Sequence, residues 1–281
     1  MTSSVLITGT SKGIGMATAL AFGRAQYTVY ATMRDPQRSP ELAQIADKEH
    51  LSIRILPMDV DSDISVKQTI DDIQNNNGAI DILINNAGIE RRGSVEELPV
   101  AEVRAVMETN YFGALRCIQA VMPQMRARRS GWIINVTSVA GRLSSPPMGA
   151  YSASKYALEA LSEALAQEAK YFKVHVAIIE PGVIDTAMAR RVTEPLANTV
   201  YPHARRMAAM FSASLAQRST PPEVVAQKIR EVVESNTWKL RHPAGPDAEG
   251  YLQMRASTSD EEWVNRGALD DEAWTQAFKM R

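Results

Sequence analysis

Cysteine is almost missing from this chain: Cys117 is the one example in 281 residues. No disulfide framework can form within the chain, and no cysteine-based zinc site can be assembled. A lone thiol fits a reducing compartment, and the cytoplasm is the expected location. The four histidines, His50, His175, His203 and His242, share no metal-ligand spacing, so no metal site is expected. Excess charge of either sign is also lacking, with a formal net charge of −1. That balance argues against a nucleic-acid surface and against a polybasic segment for anionic lipid. No apolar run reaches the roughly 18 residues of a membrane span, and the opening MTSSVLITG lacks the charged leader and apolar core of a signal peptide. Small, neutral or weakly charged molecules are the expected partners.

Short β-rich runs are present, and they alternate with longer helical patterns. The runs fall at 4–9, 27–33, 51–60, 80–88, 131–138 and 174–182. Between them, Val103, Val106, Met107, Leu115, Ile118, Val121 and Met122 recur at helical period, as do Leu158, Leu161 and Leu165. Strand and helix in repetition predict an α/β fold of Rossmann type, a doubly wound parallel sheet with helices on both faces. The strands are nearly continuous in apolar residues, which suits burial on both sides. One domain is expected over 1–240. Within it, 183–220 has weak periodicity and reads as a substrate lid, and the helix PPEVVAQKIREVVES follows. Residues 241–281 read as a polar C-terminal extension packed on the same domain, with Trp263 and Trp274 lacking an evident partner. Met188, Met207, Met210 and Met254 either line an adaptable pocket or fill gaps in the core. Cys117 lies on the apolar side of its helix and is expected to be buried and unreactive.

Directly after the first run comes Thr8-Gly9-Thr10-Ser11-Lys12-Gly13-Ile14-Gly15, leading into a helix-compatible stretch. Such glycines permit a tight turn and close backbone approach, so that a pyrophosphate can rest on amides at the helix N-terminus. The spacing is G-x-x-x-G-x-G, and its place between a strand and a helix in the first βαβ unit makes it a candidate dinucleotide site. The second strand ends near the adenosine ribose, where an acid would bond a 2′-hydroxyl and a cation would accept a 2′-phosphate. Met33 stands where the acid would be and Arg34 follows at once. With Lys12, this favours NADP(H) over NAD(H), although Asp35 is one residue further on.

Tyr151 and Lys155 lie four residues apart at the start of an amphipathic helix, on one face and within reach of the same molecule. Alone, the pair is also compatible with a core tyrosine and a solvated lysine. Taken in order with the rest of the chain, it resembles the short-chain dehydrogenase/reductase family, in particular its hydroxysteroid and retinol dehydrogenase members. The family's motifs match TGTSKGIG at 8–15, Asp59 in MDV, Asn85 to Gly88 as N-N-A-G, Asn110 in METNYFG, Ser138 in NVTSVAG, Tyr151 and Lys155 as Y-x-x-x-K, and Pro181, Gly182 and Thr186 as P-G-x-x-x-T.

The resemblance implies an NADP(H)-dependent oxidoreductase acting on a carbonyl or secondary alcohol. It assigns catalytic roles to Asn110, Ser138, Tyr151 and Lys155. Cofactor contacts fall to Gly9, Ser11, Lys12, Gly13, Ile14, Gly15, Arg34, Asp59, Val60, Asn86, Ala87, Gly88, Pro181, Gly182, Val183 and Thr186, with Tyr151 and Lys155 again. A tyrosine of pKa about 10 serves as proton donor if a neighbouring ammonium pulls it toward neutrality, the role expected of Lys155. Asn110, on an apolar helix stripe, must find partners for its amide; they are either backbone groups in the core or, by resemblance, a water leading to Lys155. A homodimer or homotetramer is implied through the helices around 101–128 and 151–172. A non-catalytic NADP-binding sensor on the same fold is the alternative reading, which the complete Asn-Ser-Tyr-Lys set disfavours.

Overall fold

Successive side chains of a strand point to opposite faces of its sheet, and these strands have apolar residues for both. The computed structural model describes residues 3–235 and 237–278; the last three residues of the expected extension, 279–281, lie outside them. In chain order the elements are β1 Ser4–Thr8, α1 Gly13–Arg24, β2 Thr28–Met33, α2 Glu41–Lys48, β3 Ile53–Pro57, α3 Asp63–Asn77, β4 Ile82–Asn85 and α4 Val100–Met107. A π turn, Glu108–Phe112, leads to α5 Gly113–Arg128, β5 Gly131–Val136, α6 Gly149–Lys170 and β6 Val174–Pro181. Then come α7 Ala187–Val192, α8 His203–Gln217, α9 Glu223–Glu234, β7 Arg241–Ala244, α10 Ala248–Ala256, α11 Asp260–Asn265 and α12 Asp271–Phe278.

The sheet is parallel throughout, in the order β3-β2-β1-β4-β5-β6-β7. Val5, Ile7, Ile84, Ile134 and Ile179 face one side, where α1 and α9 cover them with Phe22, Val225 and Ile229. Leu6, Leu83, Ile133 and Val176 face the other side, under α3, α5 and α6 with Ile70, Val121 and Leu165. Cys117 is fully buried in this second layer, and burial pushes its thiol up to about 12, as suits an inert core residue. No helix among the described residues is long and apolar enough to cross a membrane.

Two expectations need correction. The sheet has a seventh strand beyond residue 240, so a boundary there would cut it. Arg-His-Pro-Ala shows no apolar alternation and contains a proline, which an edge strand tolerates; only pairing of Ile178 to Pro181 with Arg241 to Ala244 reveals it. The weakly periodic lid region contains a four-turn helix, α8, whose Ala204, Met207 and Ala208 are buried. The extension packs through Tyr251, Met254 and Trp263 on Leu143, Val183 and Phe211, and the Trp263 indole N–H donates to the Ser144 carbonyl at 2.9 Å.

Candidate active site

The turn after β1 folds tightly because glycine alone suits it. Gly9 has φ +71°, and a Cβ there would lie 2.7 Å from Ala87 Cα. A Cβ on Gly15 would overlap the Gly9 carbonyl oxygen. The N-N-A-G segment braces this turn from β4: Asn86 Nδ2 donates to the carbonyls of Thr8 (2.9 Å) and Gly9 (3.1 Å), while the Asn86 and Ala87 amides donate to Thr8 Oγ1. At the start of α1, no side chain caps the helix and no acid occupies its first turn. Its free amides and dipole are therefore available to an anion. Gly15→Ala is expected to lower stability by about 1–3 kcal/mol, the usual scale of overpacking. Urea unfolding checks this, and an unchanged midpoint would contradict the contact.

A cavity of about 550 Å³ opens at the carboxyl ends of β1, β4, β5 and β6, where ligands bind in such sheets. Every residue expected at the site lines it except Asn110, which is buried behind the wall. Arg34 and Lys12 stand at the glycine-turn end. Asp35 is engaged elsewhere, since its carboxylate accepts the Gln37 amide at 3.0 Å. Thr186 caps α7 and packs beside the glycine turn; a Cβ on Gly13 would sit 3.3 Å from Thr186 Cγ2. The P-G-x-x-x-T and glycine motifs, far apart in sequence, thus meet.

Ser138 follows the end of β5, with its hydroxyl donating to the Pro181 carbonyl at 3.3 Å and accepting the Ala140 amide at 3.1 Å. It also hydrogen-bonds the Tyr151 phenol, drawing that group's pKa down. Burial outweighs this and, with the Glu90 charge adding to it, Tyr151 is pushed up to about 12. Burial likewise lowers Lys155 to about 8, opposed by the Glu159 carboxylate. Lys155 Nζ donates to the Val136 carbonyl at 2.9 Å and lies 5.7 Å from the Tyr151 ring centroid. The expected pull of Lys155 on Tyr151 toward neutrality is thus absent here: desolvation disfavours phenolate and ammonium alike.

Asn110 sits within the π turn, where the extra residue in the helical ring turns its amide inward. Oδ1 accepts the Ile89 amide at 2.8 Å, and Nδ2 donates to the Ile89 carbonyl and to Ser154 Oγ, each at 2.9 Å. Both amide hydrogens are therefore engaged within the protein, as the core reading of this residue anticipates. The second oxygen lone pair faces Gly88, beside Lys155 Nζ.

The far end of the cavity is apolar, walled by Leu143, Met148, Met188, Met207, Met210 and Phe211. The choice left open for the methionines thus divides: three line the cavity, whereas Met254 packs behind it. His203 is absent from the wall and approaches the Gly267 carbonyl at 3.2 Å. Sequence reasoning missed Tyr251 and a buried carboxylate, Glu90, paired with Arg191 at 3.3 Å. Neither belongs to a local motif; only the folded chain brings them to the cavity.

The short chain dehydrogenase family model matches residues 3–197. A 3-ketodihydrosphingosine reductase of Bacteroides thetaiotaomicron is 38% identical over 68% of this chain and 68% of its own. An oxidoreductase of Botryotinia fuckeliana is 34% identical over 94% and 97%, and retinol dehydrogenase 8 of Bos taurus 36% identical over 71% and 64%. Among solved structures, a short-chain dehydrogenase from Streptomyces avermitilis superposes with TM-score 0.78 at 29% identity, over 100% of this chain and 99% of that one. A gluconate 5-dehydrogenase from Burkholderia cenocepacia, in complex with NADP and tartrate, gives 0.65 at 26%, over 78% and 91%. With the family's match running through most of the sheet and one relative aligned nearly end to end, this chain belongs to the short-chain dehydrogenases and is an oxidoreductase of that family.

Proposed function

We propose that the protein moves a hydride between NADP(H) and a carbonyl or secondary alcohol on an apolar molecule, with Tyr151 as general acid and base. The observation that carries this reading is the meeting of Tyr151, Ser138 and Lys155 in the wall of the same cavity that the glycine turn bounds at its other end. A dinucleotide phosphate fits the residues present. The Gly9 and Gly15 cradle is one that a Cβ would fill, the α1 N-terminus is uncapped, and two cations line the wall with Asp35 turned to its own backbone. The NADP held by the Burkholderia relative supports the phosphorylated form.

The bound cofactor supplies the hydride donor or acceptor; the chain's own residues bind, orient and move the proton. Backbone amides of the glycine turn, from Gly9 through Gly15, hold the pyrophosphate, and Lys12 and Arg34 neutralise the 2′-phosphate. Asp59 and Val60 border the adenine, with Asn86 to Gly88 beneath the nucleotide. The Pro181 to Thr186 turn fixes the carboxamide. Ser138 hydrogen-bonds the substrate oxygen, to which Tyr151 gives a proton in reduction and from which it takes one in oxidation. Lys155 supplies positive charge and holds ribose hydroxyls. Asn110 anchors Ile89 beside it. The methionine-rich end excludes water and adapts to an apolar body, in keeping with relatives named for retinol and 3-ketodihydrosphingosine.

Titration with NADPH and NADH, followed at 340 nm with ketones, aldehydes, quinones and steroids, tests the proposal. The expected result is a Kd for NADPH at least about tenfold below that for NADH, from the charge-assisted bonds of two cations, and turnover with an apolar carbonyl compound. A Kd for NADH equal or lower would overturn the cofactor assignment. Tight NADPH binding without turnover across the panel would favour the sensor.

A further inference from the structure

The carboxyl-terminal segment reaches the proposed nicotinamide turn through one side chain. Asp247 is 9% exposed and stands at the N-cap of α10, where an aspartate ordinarily accepts amides of its own helix. It caps nothing in that helix. Its Oδ2 instead accepts the Val183 amide at 2.9 Å in a buried hydrogen bond. Oδ1 is buried with no hydrogen-bond partner and lies against Gly182, where an added Cβ would collide with it. The strand-end pairing of β7 places it there: the Gly182 amide donates to the Ala244 carbonyl at 3.0 Å, and Gly245, with φ +100°, turns the chain beneath. A buried carboxylate with an unpartnered oxygen is costly unless the surroundings enforce it. Burial raises the Asp247 carboxyl pKa, opposed by the Val183 amide.

Two of the three amides in the 182–184 turn are thereby committed, Gly182 to β7 and Val183 to Asp247. The Ile184 amide, for which the described residues supply no acceptor, is left facing the cavity region that Ile184 lines.

We propose that Asp247 is a positioning residue for the cofactor: by holding Val183 it sets the turn so that its remaining polar backbone groups meet the nicotinamide carboxamide. This rests on the NADP(H) reading above. The same short helix carries Tyr251 in the substrate wall, so one segment shapes both halves of the site.

Calorimetric titration of the full-length protein with NADPH and with 2′,5′-ADP, which lacks the nicotinamide half, tests the assignment. Asp247→Ala is expected to weaken NADPH about tenfold and to leave 2′,5′-ADP within twofold. Asp247→Asn retains an oxygen for the Val183 amide and is expected to stay within threefold for both ligands. Asp247→Ser, too short to reach Val183, replaces the alanine variant if that one does not fold. Equal weakening of both ligands would mean a merely structural role and overturn the inference, as would unchanged NADPH affinity. Wild-type protein that binds neither ligand would overturn the cofactor reading itself, and the inference with it.

Discussion

Tyr151→Phe is expected to lower kcat by about a thousandfold, within the range that a general acid contributes, while the Kd for NADPH stays within about twofold. The substitution removes one oxygen from a side chain whose ring is otherwise packed against Met148, Val192 and Met207. The wall keeps its shape, and the glycine turn and Arg34 are untouched. What is lost is the proton for the substrate oxygen and the hydrogen bond with Ser138. Steady-state rates with the best panel substrate, paired with a fluorescence titration of NADPH, separate chemistry from binding. Near-normal turnover would reject Tyr151 as the acid, and loss of NADPH binding would show that the ring is part of the cofactor contact.

The second large effect concerns stability as well as rate. Lys155→Met is expected to reduce turnover at least about a hundredfold and yet to stabilise the ligand-free protein at pH 7. Burial holds the Lys155 pKa at about 8 in the folded chain against 10.5 for the free side chain. Below pH 8 both states carry the proton, and the folded one bears the full desolvation penalty, about 3 kcal/mol for such a shift. Between pH 8 and 10.5 the folded state has released the proton and the unfolded chain retains it. Stability from this group therefore rises with pH across that window.

Removing the amine also forfeits its bond to the Val136 carbonyl, which offsets about 1 kcal/mol. The net gain at pH 7 is about 2 kcal/mol, or a rise in Tm of roughly 5 °C for a domain of this size. Unfolding of both proteins at pH 7 and pH 10.5 checks this, and the gain is expected to disappear at the higher pH. A variant less stable than wild type at pH 7 would show that the buried ammonium is fully compensated by its surroundings.

Local signals carried most of the architecture. The glycine turn, the six apolar strands and the Tyr151–Lys155 pair each lie within a single element or loop, so a short window of sequence holds the whole pattern. β7 was hidden because its residues follow the edge of the sheet rather than a buried face. The periodicity through 103–122 was legible as helix, but its faces were not. Ala114, Cys117, Val121 and Met125 are buried, whereas Leu115 and Met122 are only partly so; the π turn shifts the phase that a regular helix would impose. Likewise, Asp35 looked like a rival to Arg34 until its bond to Gln37 was seen. Glu90 and Asp247 gave no signal at all, since each owes its place to contacts with residues about a hundred and about sixty positions away.

The π turn at Glu108–Phe112 has a consequence for how this stretch can be rewritten. It stores one residue more than a regular helical turn, and every α-helical residue advances the helix by about 100°. Substitutions within it alter chemistry while preserving phase. Deleting one residue would close the turn into regular helix and swing α5 by about that angle, carrying Cys117, Val121 and Met125 off the layer they share with α3. Evolution can edit this segment letter by letter, but a change in its length would be a frameshift in three dimensions.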